Sequence, residues 1–228
     1  MGRLFLLVVT MMLLVITGCS GTSAEKTPDP EGMLSGAHDS FATASSVTVT
    51  LTSEDVPMGS QGVTAAEGVG ALDATTPKFK GTVTGTVQGV AGEFDVIAIG
   101  DEVWIKFFTS SYVPFDLEAL GSPNPAKLFN PTTGLPSLLE KTTEIAAGQQ
   151  QRNGSDVLDI VTGKLPGELV GSLLKLGESG STFDVTYGIT ADGELRKAVL
   201  TGDFYPGATS TYTFVVKDYG TAVDIERP

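Results

Sequence analysis

The chain's single cysteine, Cys19, is the side chain best placed for covalent chemistry. Arg3 gives a basic start, residues 4–16 are almost uninterrupted apolar, and Ile16-Thr17-Gly18 lead into the thiol. That order is the layout of a secretory signal. Ile16-Thr17-Gly18-Cys19 matches the lipobox, so the expected chemistry is transfer of a diacylglyceryl group to the Cys19 sulfur. Cleavage before it would then leave Cys19 as the mature N-terminus. A spanning helix is the competing reading, but about 13 residues of helix reach only about 20 Å, short of a hydrocarbon core of roughly 30 Å. An ordinary signal with an accidental cysteine is weaker, because it leaves the one cysteine without a role. The expected location is therefore outside the cell membrane, anchored to its outer face by lipidated Cys19.

No other chemistry is legible. His38 is the one histidine and has no cysteine partner beyond Cys19, so it reads as a surface helix residue. Gly-x-Ser-x-Gly, His-Glu-x-x-His and phosphate-loop patterns are absent from the sequence. Glu54-Asp55 and Asp101-Glu102 pair acids at turn positions, where carboxylates are commonly just solvated. Trp104 reads as sheet-surface packing before it reads as a sugar platform. Tyr112, Val113 and Phe115 form either a lipid-touching rim or hairpin core. No catalytic residue, metal site or cofactor is expected.

The formal charge of -13 makes nucleic acid an unsuitable partner and repels anionic surfaces. A lone cysteine rules out an internal disulfide, so core packing must hold the fold. The organisation expected is a signal over residues 1–18, a flexible tether over 19–32 and one domain over 33–228. The tether is polar and proline-bearing, with Pro28 and Pro30.

The remaining elements follow from periodicity. A short helix is expected over residues 33–44. Alternating strand patterns follow over 46–52, 63–75, 78–88, 92–99, 103–108, 156–162, 182–189, 194–202 and 209–219, separated by Gly-, Asn- and Pro-bearing turns. Neighbours in sequence should pair as hairpins. Residues 117–142 break the series with Pro123, Pro125, Pro131 and Pro136 and read as two or three short helices. Residues 167–176 read as one more. The class is α+β: a large curved antiparallel sheet, a half-barrel, with short helices over its concave face.

On 78–88 the apolar face reads Phe79, Gly81, Val83, Gly85 and Val87, and the next strand presents Phe94 and Val96. Glycines aligned on an apolar face mark sharp curvature or the close approach of something bulky. Either the concave side encloses a space, or the glycines only bend the sheet and large helix side chains fill it.

Five features together resemble the LppX/LprAFG family of actinobacterial lipoproteins, lipid carriers similar in fold to the LolA and LolB lipoprotein-transport domains. They are the lipobox, the Val47–Leu51 strand, Phe129-Asn130-Pro131-Thr132-Thr133-Gly134-Leu135, the 157–162 strand after Asn153-Gly154, and Lys217-Asp218-Tyr219-Gly220. The resemblance covers nearly all of the mature chain. It implies a large apolar cavity for the acyl chains of a multiply acylated lipid or glycolipid. Its lining would come from Val47, Val49 and Leu51, from Phe79, Gly81, Val83, Gly85 and Val87, and from Phe94, Val96 and Ile105. The helical segment would add Leu128, Leu135, Leu138 and Leu139 and would act as a lid. The chain departs from the family in its acidity and in having no evident basic cluster at a cavity mouth. The resemblance further implies a monomeric, non-enzymatic carrier that moves lipid between membrane and envelope and works with a membrane lipid transporter. The competing class is a scaffold lipoprotein with a solid core and an outer binding face.

Replacing Cys19 with Ala should abolish metabolic labelling by a fatty-acid analogue and move the protein to the soluble fraction in folded form. Label persisting on that variant would refute the acylation site.

Overall fold

The computed structural model describes residues 29–87, 89–108, 110–178 and 180–228, so the signal, Cys19 and most of the tether lie outside the described residues. Helix α1 spans Pro30–Thr43 and starts within the segment read as tether. Its start is set by capping: Asp29 accepts a hydrogen bond from the Gly32 amide at 3.0 Å, and Pro30 fills a first-turn position that needs no N–H donor. Leu34, Ala37 and Phe41 form the buried stripe of this helix.

Twelve strands are described in one antiparallel sheet. The first group is β1 (Ser46–Glu54), β2 (Gly62–Ala71), β3 (Lys78–Val87), β4 (Val90–Ile99), β5 (Glu102–Lys106) and β6 (Val113–Pro114). The second is β7 (Thr143–Ala147), β8 (Gln151–Asn153), β9 (Asp156–Pro166), β10 (Thr182–Ile189), β11 (Leu195–Tyr205) and β12 (Ala208–Lys217). The order across the sheet is β6-β5-β4-β3-β2-β1-β12-β11-β10-β9-β7, with β8 paired to β9 off this path. Hairpin neighbours therefore hold within each half, while the first and last strands join the halves. Leu51 faces Phe214 and Val49 faces Val216 across that seam. Both pairs put apolar side chains on the concave face, which fixes the register, because a slip of one residue would turn both rows outward.

β6, β7 and β8 carry no alternation long enough to read from sequence. β6 and β7 form the two edges of the main sheet. β6 is two residues long and contains Pro114, and β7 has a register shift between Thr143 and Ala146 with Glu144 in a left-handed conformation. Short, bulged or proline-bearing edges discourage pairing with a second sheet.

Between β6 and β7 lie a 3₁₀ turn, Pro125–Phe129, and helix α2, Pro136–Glu140, each with proline in its first turn as its sequence predicts. Helix α3, Gly167–Leu174, links β9 to β10. α2 packs against α1 over the β7 to β11 half. There the buried Tyr187 hydroxyl and Thr142 Oγ1 lie 2.9 Å apart, and Thr142 donates to the Leu138 carbonyl at 2.8 Å. At the seam, the Tyr219 ring meets Phe41 edge-on at 6.0 Å while its hydroxyl donates to the Leu195 carbonyl. One continuous core runs from α1 through both halves of the sheet.

Burial pushes the hydroxyls of Tyr187, Tyr212 and Tyr219 well above the ordinary phenol value. A raised folded-state value means that their stabilising contribution is full below about pH 10 and is lost as the pH rises beyond it. Melting temperature should hold up to about pH 10 and then fall. Phenolate absorbance from these three residues should appear only with unfolding. Their titration in the folded protein near pH 10 would contradict the packing.

Candidate functional site

The concave face of the β1 to β5 half holds an apolar cleft of about 120 Å³. Its floor is set by a contact between glycines and aromatic rings. Gly68 of β2 lies opposite Gly81 of β3, and Gly70 opposite Phe79. A Cβ at Gly81 would stand 2.1 Å from the Glu67 carbonyl oxygen, and one at Gly68 would meet the Phe79 ring at 2.7 Å. A Cβ at Gly70 would fall 2.0 Å from the Phe129 ring. The two rings stack 5.8 Å apart and 7° from parallel above this bare backbone. The glycines thus serve the curvature and close approach that their alignment suggested, and an aromatic side chain from the 3₁₀ turn fills much of the space above them.

That filling explains why the cleft is smaller than the large cavity implied by the family resemblance. Sites for drug-sized ligands occupy roughly 300–1,000 Å³, well above the free volume here. What remains is narrow and uncharged. Among the residues lining it, Ser122 and Tyr212 alone carry a polar side chain. The Tyr212 hydroxyl lies 2.7 Å from that of Tyr205 and donates to the Val63 carbonyl at 2.9 Å, which leaves no free donor directed at the cleft from that side.

Of the residues expected at a cavity, Val49, Leu51, Phe79, Val83, Gly85, Phe94, Val96, Ile105, Leu128 and Leu135 line this cleft. Val47 is fully buried in the core opposite Gly70. Gly81 is covered by β2 and the Phe79 ring. Leu138 and Leu139 sit in the buried core on α2, because that helix docks on α1 rather than over the cleft. The side chain of Val87 lies outside the described residues. Gly85 faces the cleft without bordering open space, since a Cβ there would reach the Gly62 carbonyl oxygen at 2.4 Å. Sequence reasoning did not find the contributions of Tyr212 and Phe214, which depend on the β1–β12 pairing, or of Leu174 at the end of α3 and Leu176 after it. The alternation of 209–219 and the apolar stripe of 167–176 were the available signals.

The segment expected to act as a lid is divided in two. Asn124 accepts from the Ala126 amide and donates to the Gly100 carbonyl at 2.9 Å. Asn130 accepts from the Thr132 and Thr133 amides, both at 3.0 Å, and donates to the Ala74 carbonyl. These two side chains tie the 3₁₀ turn to the β4–β5 and β2–β3 turns. The Phe129–Leu135 motif is therefore an asparagine-nucleated turn, closed by Gly134, whose Cβ would strike the Leu128 carbonyl at 2.3 Å. By contrast, residues 115–123 hold together mainly through local bonds, and Phe115 N–H to the Val103 carbonyl is their tie to the sheet. Phe115, Leu117, Ser122, Pro123 and Leu128 line both the cleft and an open hollow of about 620 Å³ outside it.

That hollow contains Trp104, Asp101, Glu102, Asp116, Glu118, Lys127 and Lys175. The paired acids at its edge are engaged rather than merely solvated: Asp101 holds Lys127 at 2.9 Å, and Glu102 holds Arg227. His38 lies between Asp39 and Glu140, at 3.2 and 3.6 Å. Among the described residues no group of three or more His, Cys, Asp or Glu side chains could hold a metal ion. No described helix is long and apolar enough to cross a membrane.

A family model described as LppX_LprAFG lipoprotein matches residues 29–225. Among solved structures, LprF from Mycobacterium bovis is similar with a TM-score of 0.75 at 13% identity, covering 89% of this chain and 98% of that one. The Mycobacterium tuberculosis lipoprotein LppX is similar with a TM-score of 0.63 at 18% identity, over 87% and 100% of the two chains. At these identities the structures establish a shared fold. No curated protein matches the sequence.

Val83 and Gly85 separate free volume from filled volume. Val83→Trp should occupy the cleft with little loss of melting temperature, whereas Gly85→Ala should force β2 and β3 apart and cost about 1–3 kcal/mol. Equal melting temperatures for both variants in thermal unfolding would contradict this assignment.

Proposed function

The chain belongs to the LppX/LprAFG lipoproteins, and on that premise we propose that its apolar cleft holds the acyl chains of a lipid that the protein carries between membrane and envelope. The observation that carries the proposal is the cleft wall itself: wholly uncharged, curved around a narrow slot and continuous with a polar hollow at its mouth. Each buried methylene is worth about 0.8 kcal/mol, so a chain of ordinary length is retained against water even when partly enclosed. The headgroup, of a multiply acylated lipid or a glycolipid, stays in the hollow beside Trp104 and its flanking carboxylates.

Loading requires the slot to widen, since its present volume is below that of an acyl chain. The gate is residues 115–123, whose side chains form the wall shared by cleft and hollow. The asparagine-tied 3₁₀ turn stays in place. A segment held by local turns and one sheet hydrogen bond opens at lower cost than the core. No covalent step is involved. Acylated Cys19 keeps the monomeric domain on the outer face of the cell membrane, where a membrane lipid transporter supplies or receives the cargo.

The small free volume is the one observation that favours the scaffold reading, and lipid content decides between the two. Residues 29–228, purified without the anchor, should release acylated lipid on organic extraction, identified by mass spectrometry at up to one per protein. Val83→Trp should lower that yield several-fold. Lipid-free protein after expression in its native envelope would support the solid-core scaffold.

A further inference from the structure

One end of the sheet carries a row of exposed apolar side chains that the cleft does not use. Met58, in the β1–β2 connection, is 104% exposed and Phe108, after β5, is 95% exposed. Val90, at the β3–β4 turn, and Val113, in β6, are exposed as well. The pairings put these connections at the same end: Gly62 at the start of β2 lies opposite Thr86 near the end of β3, Val87 opposite Val90, and Asp95 opposite Lys106 at the end of β5. The β11–β12 turn joins them through the Ser210 hydroxyl, which donates to the Asp55 carbonyl.

The loop tips at the two ends differ in charge. The opposite end carries Asp73, Asp101, Asp192 and Glu194 in its turns. On the apolar end, the tips at residues 56–61, 89–92, 107–113 and 204–210 contain no charged residue, and the exposed carboxylates Glu54, Asp55, Glu93 and Asp203 stand just behind them. Lys106, at the base of this end, is neutralised by Asp95 at 2.6 Å. Phe108 is held at a backbone cost as well. Its φ of 53° is in the left-handed region, unfavourable for a bulky residue. Its neighbour Phe107 packs on Phe94 at 4.4 Å, leaving Phe108 outermost.

We propose that this end is a membrane-contact surface, in which Met58, Val90 and Phe108 enter the interfacial region of an electrically neutral bilayer. A protein partner would be met by a flat, contiguous patch, whereas separate prongs on separate loops suit a fluid that closes around each of them. Uncharged tips enter a zwitterionic surface, whereas the carboxylates behind them would be repelled by an anionic one. The cleft reaches the same end through Gly62, Gly85 and Leu176, so contact places its apolar wall near the acyl region. The α3 connection contributes Glu168, Lys175 and Glu178, which remain in headgroup water. The surface does not depend on what the cleft holds.

The test uses acylated protein reconstituted at low density in phosphatidylcholine vesicles, with Phe108→Trp as reporter and the signal of Trp104 in the unsubstituted protein subtracted. Phosphatidylcholine brominated along its chains is placed in the host vesicles or in a second population added later. Contact predicts quenching of the introduced tryptophan in at least one arrangement and none for Asp192→Trp at the opposite end. Adding Met58→Asp and Val90→Asp to the reporter protein should reduce vesicle contact at least about tenfold at unchanged melting temperature. Absence of quenching in both arrangements, equal quenching at both ends, or quenching indifferent to the two aspartates would each overturn the proposal.

Discussion

The stacking of Phe79 on Phe129 above a floor of glycines is the interaction on which the rest of the concave face depends. Side chains at positions 68, 70 and 81 would strike a ring or the backbone of the paired strand. Without them, β2 and β3 approach closely and bend, and the 3₁₀ turn sinks far enough for its phenylalanine to reach the sheet. Phe129 is 1% exposed and Phe79 2%. The same contact sets how much volume is left over, because any ring placed above the glycines is space withheld from a ligand.

The asymmetry of the molecule follows from where the helices go. α1 and α2 close the β7 to β11 half with Phe41, Leu138, Leu139 and Tyr187, giving a packed core with buried, bonded hydroxyls. The other half is covered by the 3₁₀ turn, the connection before it and the end of α3 with Leu174 and Leu176, and its apolar wall is left with an open cleft. Close packing and free volume thereby fall in different halves of one sheet, joined along the β1–β12 seam. A domain with no disulfide can keep an unfilled cleft because the opposite half carries the larger share of packing.

Much of this was legible in sequence, and the reasons differ by element. Alternation marks nine of the twelve described strands because one face is buried and period 2 is then enforced. It was silent on β6, β7 and β8, which are short or peripheral, so that no apolar period is needed. Pro125 and Pro136 marked the starts of the 3₁₀ turn and α2. The pairing of first and last strands was not readable, since nothing local encodes a contact between Leu51 and Phe214. For that reason Tyr212 and Phe214 were missing from the expected lining. Leu138 and Leu139 were misplaced for a related reason: an apolar stripe on a helix says that it is buried, not whether the neighbour is a sheet, a helix or a ligand. The glycines of β2 and β3 mark close approach in the sequence itself, while the ring that fills the space above them comes from far along the chain.

If a lipid is carried as proposed, its acyl chains lie in the slot between the glycine floor and residues 115–123. Isotope-filtered nuclear Overhauser measurements on methyl-labelled protein loaded with a protonated acylated lipid address it most directly. Acyl methylenes in the slot should show contacts to the methyl groups of Val49, Val83, Val96 and Leu128 and none to those of Val47, Leu138 and Leu139. Bound lipid whose chains touched only the outer hollow, or the α1–α2 half, would contradict it.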